Sequence, residues 1–468
     1  MANQESAQGR SKGTVLDYQP AKAGATGVTL ALLSAMMFLE FFIWGAWAVS
    51  TGGFMSANGL GDVIFWAYTV GPIAALVSPF FLGMIADRYF SSERVLAVMT
   101  LLSAVAMFGV AAVGKADGGT GKLQVLFIVV LGVHMLCFMP TLGLTNTVAF
   151  HNLTNQEKQF PLVRVFGTAG WIVAGLLVDA LGAKSVIQYV VAGSACVVLG
   201  LLSFVLPHTP PPAKGQKASA RAILGLDALS LMKSPSFVVF IISSFLICIP
   251  LAAYFSYANV YIGAKGFAKP TSVMQLGQGA EVIFMLIMPL CFAWLGVKWM
   301  LVVGMLAWVV RYGLFSAAAT NDALWPAIIV GILLHGICYD FFFVTGFIYT
   351  DKKASKAIRG QAQGFLVLIT QGVGMLIGTL VVGRLVAAYS PANVKMLRDQ
   401  GVALATKAAN LSAEAAKPLL DQAKALALQA DQAILWHQVW LIPCVMAAVV
   451  MFAFFLLFKD DGKSREEA

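Results

Sequence analysis

The run LLHGICYDFFFVTGFIY, residues 333–349, is almost wholly apolar, yet it carries His335 and Asp340. It lies inside a longer segment of low polarity, about 323–350, which is long enough to cross a bilayer as a helix, since roughly 20 apolar residues span the hydrocarbon core. Runs of this kind recur along nearly the whole sequence. Hydrophobic residues make up 59% of the 468-residue chain and charged residues 11%, whereas a soluble domain has about 25% charged residues. The composition is that of an all-α integral membrane protein with many spans.

Twelve spans are expected, at about 28–50, 62–86, 94–113, 124–149, 162–182, 187–206, 236–262, 271–297, 299–318, 323–350, 360–388 and 433–458. The stretch PPPAKGQKASAR (210–221) marks a linker over 207–235. It divides the chain into an N-terminal six-helix bundle, 28–206, and a C-terminal one, 236–458, flanked by tails at 1–27 and 459–468. The first 26 residues are polar, without a short apolar core before a small-residue cleavage site, which predicts no removable signal peptide. If both tails are cytoplasmic, most loop cations fall on that side, among them Arg10, Lys158, Lys214, Arg221 and Arg359. The other side has only Lys115, Lys122, Lys184, Lys265 and Lys269 in its short loops. The positive-inside bias therefore predicts cytoplasmic termini. The net charge of +9 follows from these loops and does not call for a nucleic-acid partner. The six cysteines lie isolated in apolar runs, and neither disulfides nor a metal site nor a cofactor is expected.

One connection breaks the short-loop pattern. Residues 389–432, rich in Ala, Lys, Asp and Gln, favour amphipathic helix on the outer face, read as a solvated spacer or lid-like insertion without chemistry of its own. The halves also echo one another as a parallel repeat. GMIADRYFSSER (83–94) follows the second span, and the eroded AWLGVKWM (293–300) follows the eighth. In the first of these loops Gly83 permits close packing, while Asp87, Arg88 and Arg94 can form charge-assisted contacts that hold one gate state.

An ionisable side chain at mid-membrane costs at least about 2.5–3.5 kcal/mol on insertion scales and is a functional hypothesis by default. Five residues qualify: Glu40, Arg164, Glu281, Arg311 and Asp340. Arg164, Thr168 and Trp171 fall at i, i+4 and i+7, along one face of the fifth span. Gln275, Gln278 and Glu281 form a polar stripe on the eighth, and His335 and Tyr339, beside Asp340, form a third. Two carboxyls and several amides on separate helices require a shared polar cavity. Arg311 reads as a structural cation held by an ion pair or by snorkelling. Glu40 reads equally as a neutral residue bonded to a neighbouring helix or as part of a proton path. Trp44 and Trp47, on the face of Glu40, read as cavity wall.

These motifs resemble a family. GMIADRYFSSER is similar to the loop motif of the major facilitator superfamily, with the usual second glycine replaced near Phe90. More specific are FIWGAW (42–47), MPTLGLTNT (139–147), RVFGTAGW (164–171), LGLDAL (224–229), QGAE (278–281), WVVRYGLF (308–315), GICYDFFF (336–343), AIRGQAQGF (357–365) and QVWLIP (438–443). In this order and spacing they resemble the nucleoside:proton symporters over almost the whole chain. The resemblance implies the major facilitator fold, a monomer in a bacterial inner membrane, and uptake of a nucleoside with a proton by alternating access. It assigns substrate contact to Arg164, Thr168 and Trp171, to Gln278 and Glu281, and to His335, Tyr339 and Asp340. Asp340, Glu281 and Glu40 are the proton-coupling candidates. The departure is in the seventh span, where Ala252 and Phe255 stand in place of the family's Gln and Asn, with Tyr254, Tyr257 and Asn259 as substitutes. That departure leaves a proton-coupled sugar or other polyhydroxylated solute as the alternative cargo.

Overall fold

The computed structural model describes residues 27–81, 89–211, 226–355 and 358–459. In lipid no water is present to satisfy backbone amides, so an apolar chain closes its hydrogen bonds within helices. Ten helices among the described residues are long and apolar enough to cross a membrane. One of them, Pro270–Thr320, contains two spans, because Gly296 reverses the helical path at φ 64° and ψ −179°, a conformation that a side chain would strain. The shorter Ile187–Ser203 completes twelve.

The helices of the first half are α1 (Gly27–Ala57, with a turn at 48–50), α2 (Ile64–Phe81), α3 (Ser92–Asp117), α4 (Gln124–Asn152), α5 (Gln156–Leu181) and α6 (Ile187–Ser203). Those of the second half are α7 (Pro235–Ala264), α8 and α9 on either side of Gly296, α10 (Asp322–Lys353), α11 (Gln361–Ala388) and α14 (Trp436–Leu457). Between the last two, the 389–432 insertion forms two helices, α12 (Ala392–Ala408) and α13 (Ala413–Ala433), packed on each other as a hairpin.

Each half has its own packing. In the first, α1 lies against α5 and α6, α3 against α4 and α6, and α2 against α4; in the second, α7 lies against α11 and α14, while α10 and α14 pack on the α8–α9 unit. Close approach of α5 to α1 depends on Gly170, where a Cβ would stand 2.1 Å from the Phe38 carbonyl oxygen. Two spans are not uniformly α-helical. Asp340–Val344 in α10 and Leu368–Gly374 in α11 are π-helical turns, a helix irregularity frequently found at functional positions.

The halves meet through α2 with α11 and α5 with α8. Their hydrogen-bonded contacts gather at the end of the molecule that carries the insertion. There the Thr69 and Thr379 hydroxyls are 2.9 Å apart, and the Ser272 N–H donates to Asp179 Oδ2 at 2.5 Å. Lys269, the residue before α8, offers no side-chain cap, so a carboxylate from the other half satisfies one of the free amides at this helix start.

Candidate functional site

The C-terminal half brings α7, α8, α9 and α10 together around a column of rings. The Arg311 guanidinium lies 4.4 Å from the centre of the Tyr254 ring. Tyr254 stacks on His335 at 5.2 Å, and the His335 and Tyr339 centroids are 5.9 Å apart. His335 Nε2 lies 3.9 Å from Glu281 Oε2. Gly336 makes this approach possible, since a Cβ there would come 2.8 Å from the Glu281 backbone. One turn of sequence on α10 thus supplies both an imidazole and the small residue that lets α8 reach it.

Asp340 opens the π-helical turn of α10 and is fully buried, and neither carboxylate oxygen has a hydrogen-bond partner among the described residues. Glu281 interacts electrostatically with it. Gln278, one turn before Glu281, is buried with Oε1 unpartnered, and so is Gln275, whose side chain closes on Gly175 of α5. Buried polar groups normally find partners. The unpartnered Asp340 carboxylate, the Gln278 Oε1 and the His335 Nδ1, tied through Glu281, make a site whose complement is a polar molecule or a proton.

From the N-terminal half, Arg164 lies with its guanidinium 3.9 Å from the Phe41 ring centre and interacts electrostatically with Tyr339, Glu281 and Glu40. Trp171 meets Trp44 edge-on at 5.7 Å, and its Nε1 has no partner among the described residues. Thr168 is half-buried one turn from Arg164. Glu40 is fully buried and accepts a 2.6 Å hydrogen bond from Thr141, which leaves Oε2 unpartnered. Among the described residues Glu40 is thus bonded to a neighbouring helix, α4, through one oxygen only.

Two expectations change. Arg311 does not snorkel and forms no ion pair among the described residues: it is fully buried, donates from Nε to the Gly331 carbonyl at 2.9 Å and lies over Tyr254. Its mid-helix position on α9 faces the ring column and not the lipid, so π electrons and a backbone oxygen replace the carboxylate. Asn259 does not join the column. It sits four residues beyond Phe255, about 6 Å along the helix, where it donates to Thr271 at 3.0 Å and lies against Gly53. Its amide belongs to the seam between the halves. Arg94 is exposed at the start of α3, and its proposed companions Gly83, Asp87 and Arg88 lie outside the described residues. What sequence reasoning missed is Thr141 as the partner of Glu40, Tyr254 as the ring between Arg311 and His335, and the π-helical turn at Asp340. The first two are visible as a hydroxyl in MPTLGLTNT and an aromatic in the departed seventh span; the third has no local signal.

The profile of the family described as "Nucleoside H+ symporter" matches residues 27–463. The chain belongs to the nucleoside:proton symporter family. Among its relatives, the putative nucleoside transporter YegT of Escherichia coli is 40% identical over 360 residues, covering 75% of this chain and 83% of the relative. The xanthosine permease of the same organism is 30% identical over 384 residues, covering 78% and 89%. The crystal structure of the nucleoside transporter NupG superposes with a TM-score of 0.74 at 26% identity, covering 92% of this chain and 99% of that one. The symporter is thus a multi-pass membrane transporter of the major facilitator fold.

Proposed function

We propose that this symporter carries a nucleoside inward with a proton, holding the substrate between Arg164, Thr168 and Trp171 on one half and Gln278, Glu281, His335, Tyr339 and Asp340 on the other. The observation that carries the reading is the buried, unpartnered carboxylate of Asp340, which interacts electrostatically with Glu281, itself 3.9 Å from the His335 imidazole. Ribose hydroxyls can donate to the carboxylates, and a base can lie against the Trp44–Trp171 pair, whose rings are large and edge-packed. A carboxylate enclosed in a dry cavity carries a heavy desolvation cost that neutralisation removes. A proton arriving at Asp340 or Glu281 therefore licenses closure around the substrate, and its loss on the other side licenses release.

The insertion end is taken as the extracytoplasmic one, which places both tails in the cytoplasm in accord with the loop cations. In the described conformation that end is shut by the Asp179–Ser272 and Thr69–Thr379 contacts. Bacterial inner membrane and a monomeric unit complete the proposal. Uptake of labelled uridine and adenosine into proteoliposomes with an inward proton gradient, each competed by sugars, tests it. Concentrative nucleoside uptake indifferent to sugars is expected. Sugar uptake without nucleoside uptake would replace the cargo while keeping the fold.

A further inference from the structure

The α12–α13 hairpin belongs by sequence to the second half, yet it reaches over to the first. Arg398 on α12 is ion-paired with Asp62, in the connection between α1 and α2. Its other nitrogen, Nη2, lies 3.5 Å from Oδ1 of Asp431 on α13. Asp431 accepts in turn from the hydroxyl of Ser56, at the end of α1. One guanidinium thereby joins the insertion to itself and to the opposite half.

The surrounding backbone is shaped for the contact. A Cβ at Gly61 would come 2.9 Å from Arg398 Nε, one at Gly59 would come 2.3 Å from the Gly119 oxygen, and one at Gly401 would come 3.2 Å from the Ala423 oxygen between the two hairpin helices. The hairpin is also fastened on its own side. Trp436 Nε1 donates to the Asp431 carbonyl at 2.7 Å, Leu435 N–H to the Tyr389 carbonyl at 3.0 Å, and Gln432 Nε2 to the Ala264 carbonyl at 3.3 Å. It therefore moves with the second half. A cleft lined by Ser56, Asn58, Gly61, Arg398 and Lys424 runs beside the contact, so water can reach the charges as they separate.

We propose that the α12–α13 hairpin is a clasp on the gate at this end of the transporter, and that the Arg398–Asp62 and Asp431–Ser56 contacts must part before the end can open. This rests on the alternating-access reading above, in which the two halves rock against each other. A spacer without chemistry has no need of a nearly buried arginine shared by carboxylates from two halves. A clasp does, because ion pairs at a solvent-accessible seam are each worth up to about 1 kcal/mol, enough to bias the gate, and their charges re-solvate when the contact breaks.

Two measurements test it. In reconstituted protein bearing Thr69→Cys, at the buried seam position, the native cysteines set the background for labelling by a polar maleimide. Adding Arg398→Ala should accelerate labelling of position 69 about fivefold, the effect of a destabilisation of about 1 kcal/mol; no substrate is needed, so this outcome is independent of the cargo. Separately, Ser56→Cys with Asp431→Cys, oxidised with copper phenanthroline and verified as bridged by mass spectrometry, should lose at least about 90% of its uptake and recover it in reductant. Ser56→Ala replaces Arg398→Ala in the labelling test if the arginine variant does not fold. An unchanged labelling rate, or full uptake by the bridged protein, would overturn the proposal.

Discussion

Asp340 is the residue on which the site turns, and its chemistry makes a sharp prediction. Asp340→Asn keeps the volume and removes the ionisable oxygen; it should reduce proton-driven accumulation of substrate at least about tenfold, the loss of a contact to a charged group, as measured by uptake with and without a proton gradient. Glu281→Gln should do the same, and if both variants accumulate substrate normally the proton travels elsewhere. Gly170 gives a structural counterpart. Gly170→Ala forces a methyl into the 2.1 Å approach to Phe38 and should destabilise by about 1–3 kcal/mol. Gly279→Ala, which meets nothing within 4 Å, should not lower the thermal unfolding temperature of the detergent-solubilised protein and should raise it slightly, since Ala is favoured over Gly inside a helix by about 0.5–1 kcal/mol. The ionisable residues were legible in the sequence because lipid makes each of them conspicuous. The pairings were not: nothing local ties Thr141 to Glu40 or Tyr254 to Arg311 until two helices place them side by side.

At the scale of elements, the spans were legible from apolar length, down to the junction near 297–299 where the helix breaks at Gly296. The π-helical turns were not, because an i→i+5 bond is set by what packs on the helix and leaves no mark in hydropathy. The insertion was legible as helix from its Ala-rich composition, but its hairpin form and its grip on the first half depend on contacts from residue 56 to residue 431. That grip should respond to pH. Burial pushes the Asp431 carboxyl up to about 6, while the Arg398 guanidinium and the Ser56 hydroxyl pull the other way. Lys184, on the α5–α6 connection, and Tyr257 on α7 also face it. Once the hairpin lifts away, the group returns toward its ordinary value of 3.8. The clasped form therefore binds the proton more tightly, and acidification from about pH 6 toward pH 4 shifts the balance toward it. Labelling at position 69, divided by the rate of a free thiol at the same pH to remove the change in thiolate fraction, should slow across that window, and Asp431→Asn should flatten that corrected profile.

For the whole molecule, the division into two bundles followed from the polar linker, while the seam between them could not be read from either half alone. Asp179 illustrates the point: in sequence it is a lone acid near the end of a span, and in the fold it caps the first turn of α8 across the seam. Asp179→Ala should weaken closure of the insertion end by about 0.5–2 kcal/mol, the usual effect of removing a helix cap, and so speed labelling at position 69. Substrate binding from that side should become faster as a result, detectable by stopped-flow quenching of tryptophan fluorescence.

The junction at Gly296 bears on how such rocking is transmitted. With one residue between them, α8 and α9 have no slack in which to slide past each other, so the helix that carries Glu281 cannot shift along the membrane normal without dragging the one that carries Arg311. A ligand tugging on the carboxylate is thereby mechanically tied to a cation it never touches, and spin labels placed on either side of the junction should keep a constant separation throughout turnover.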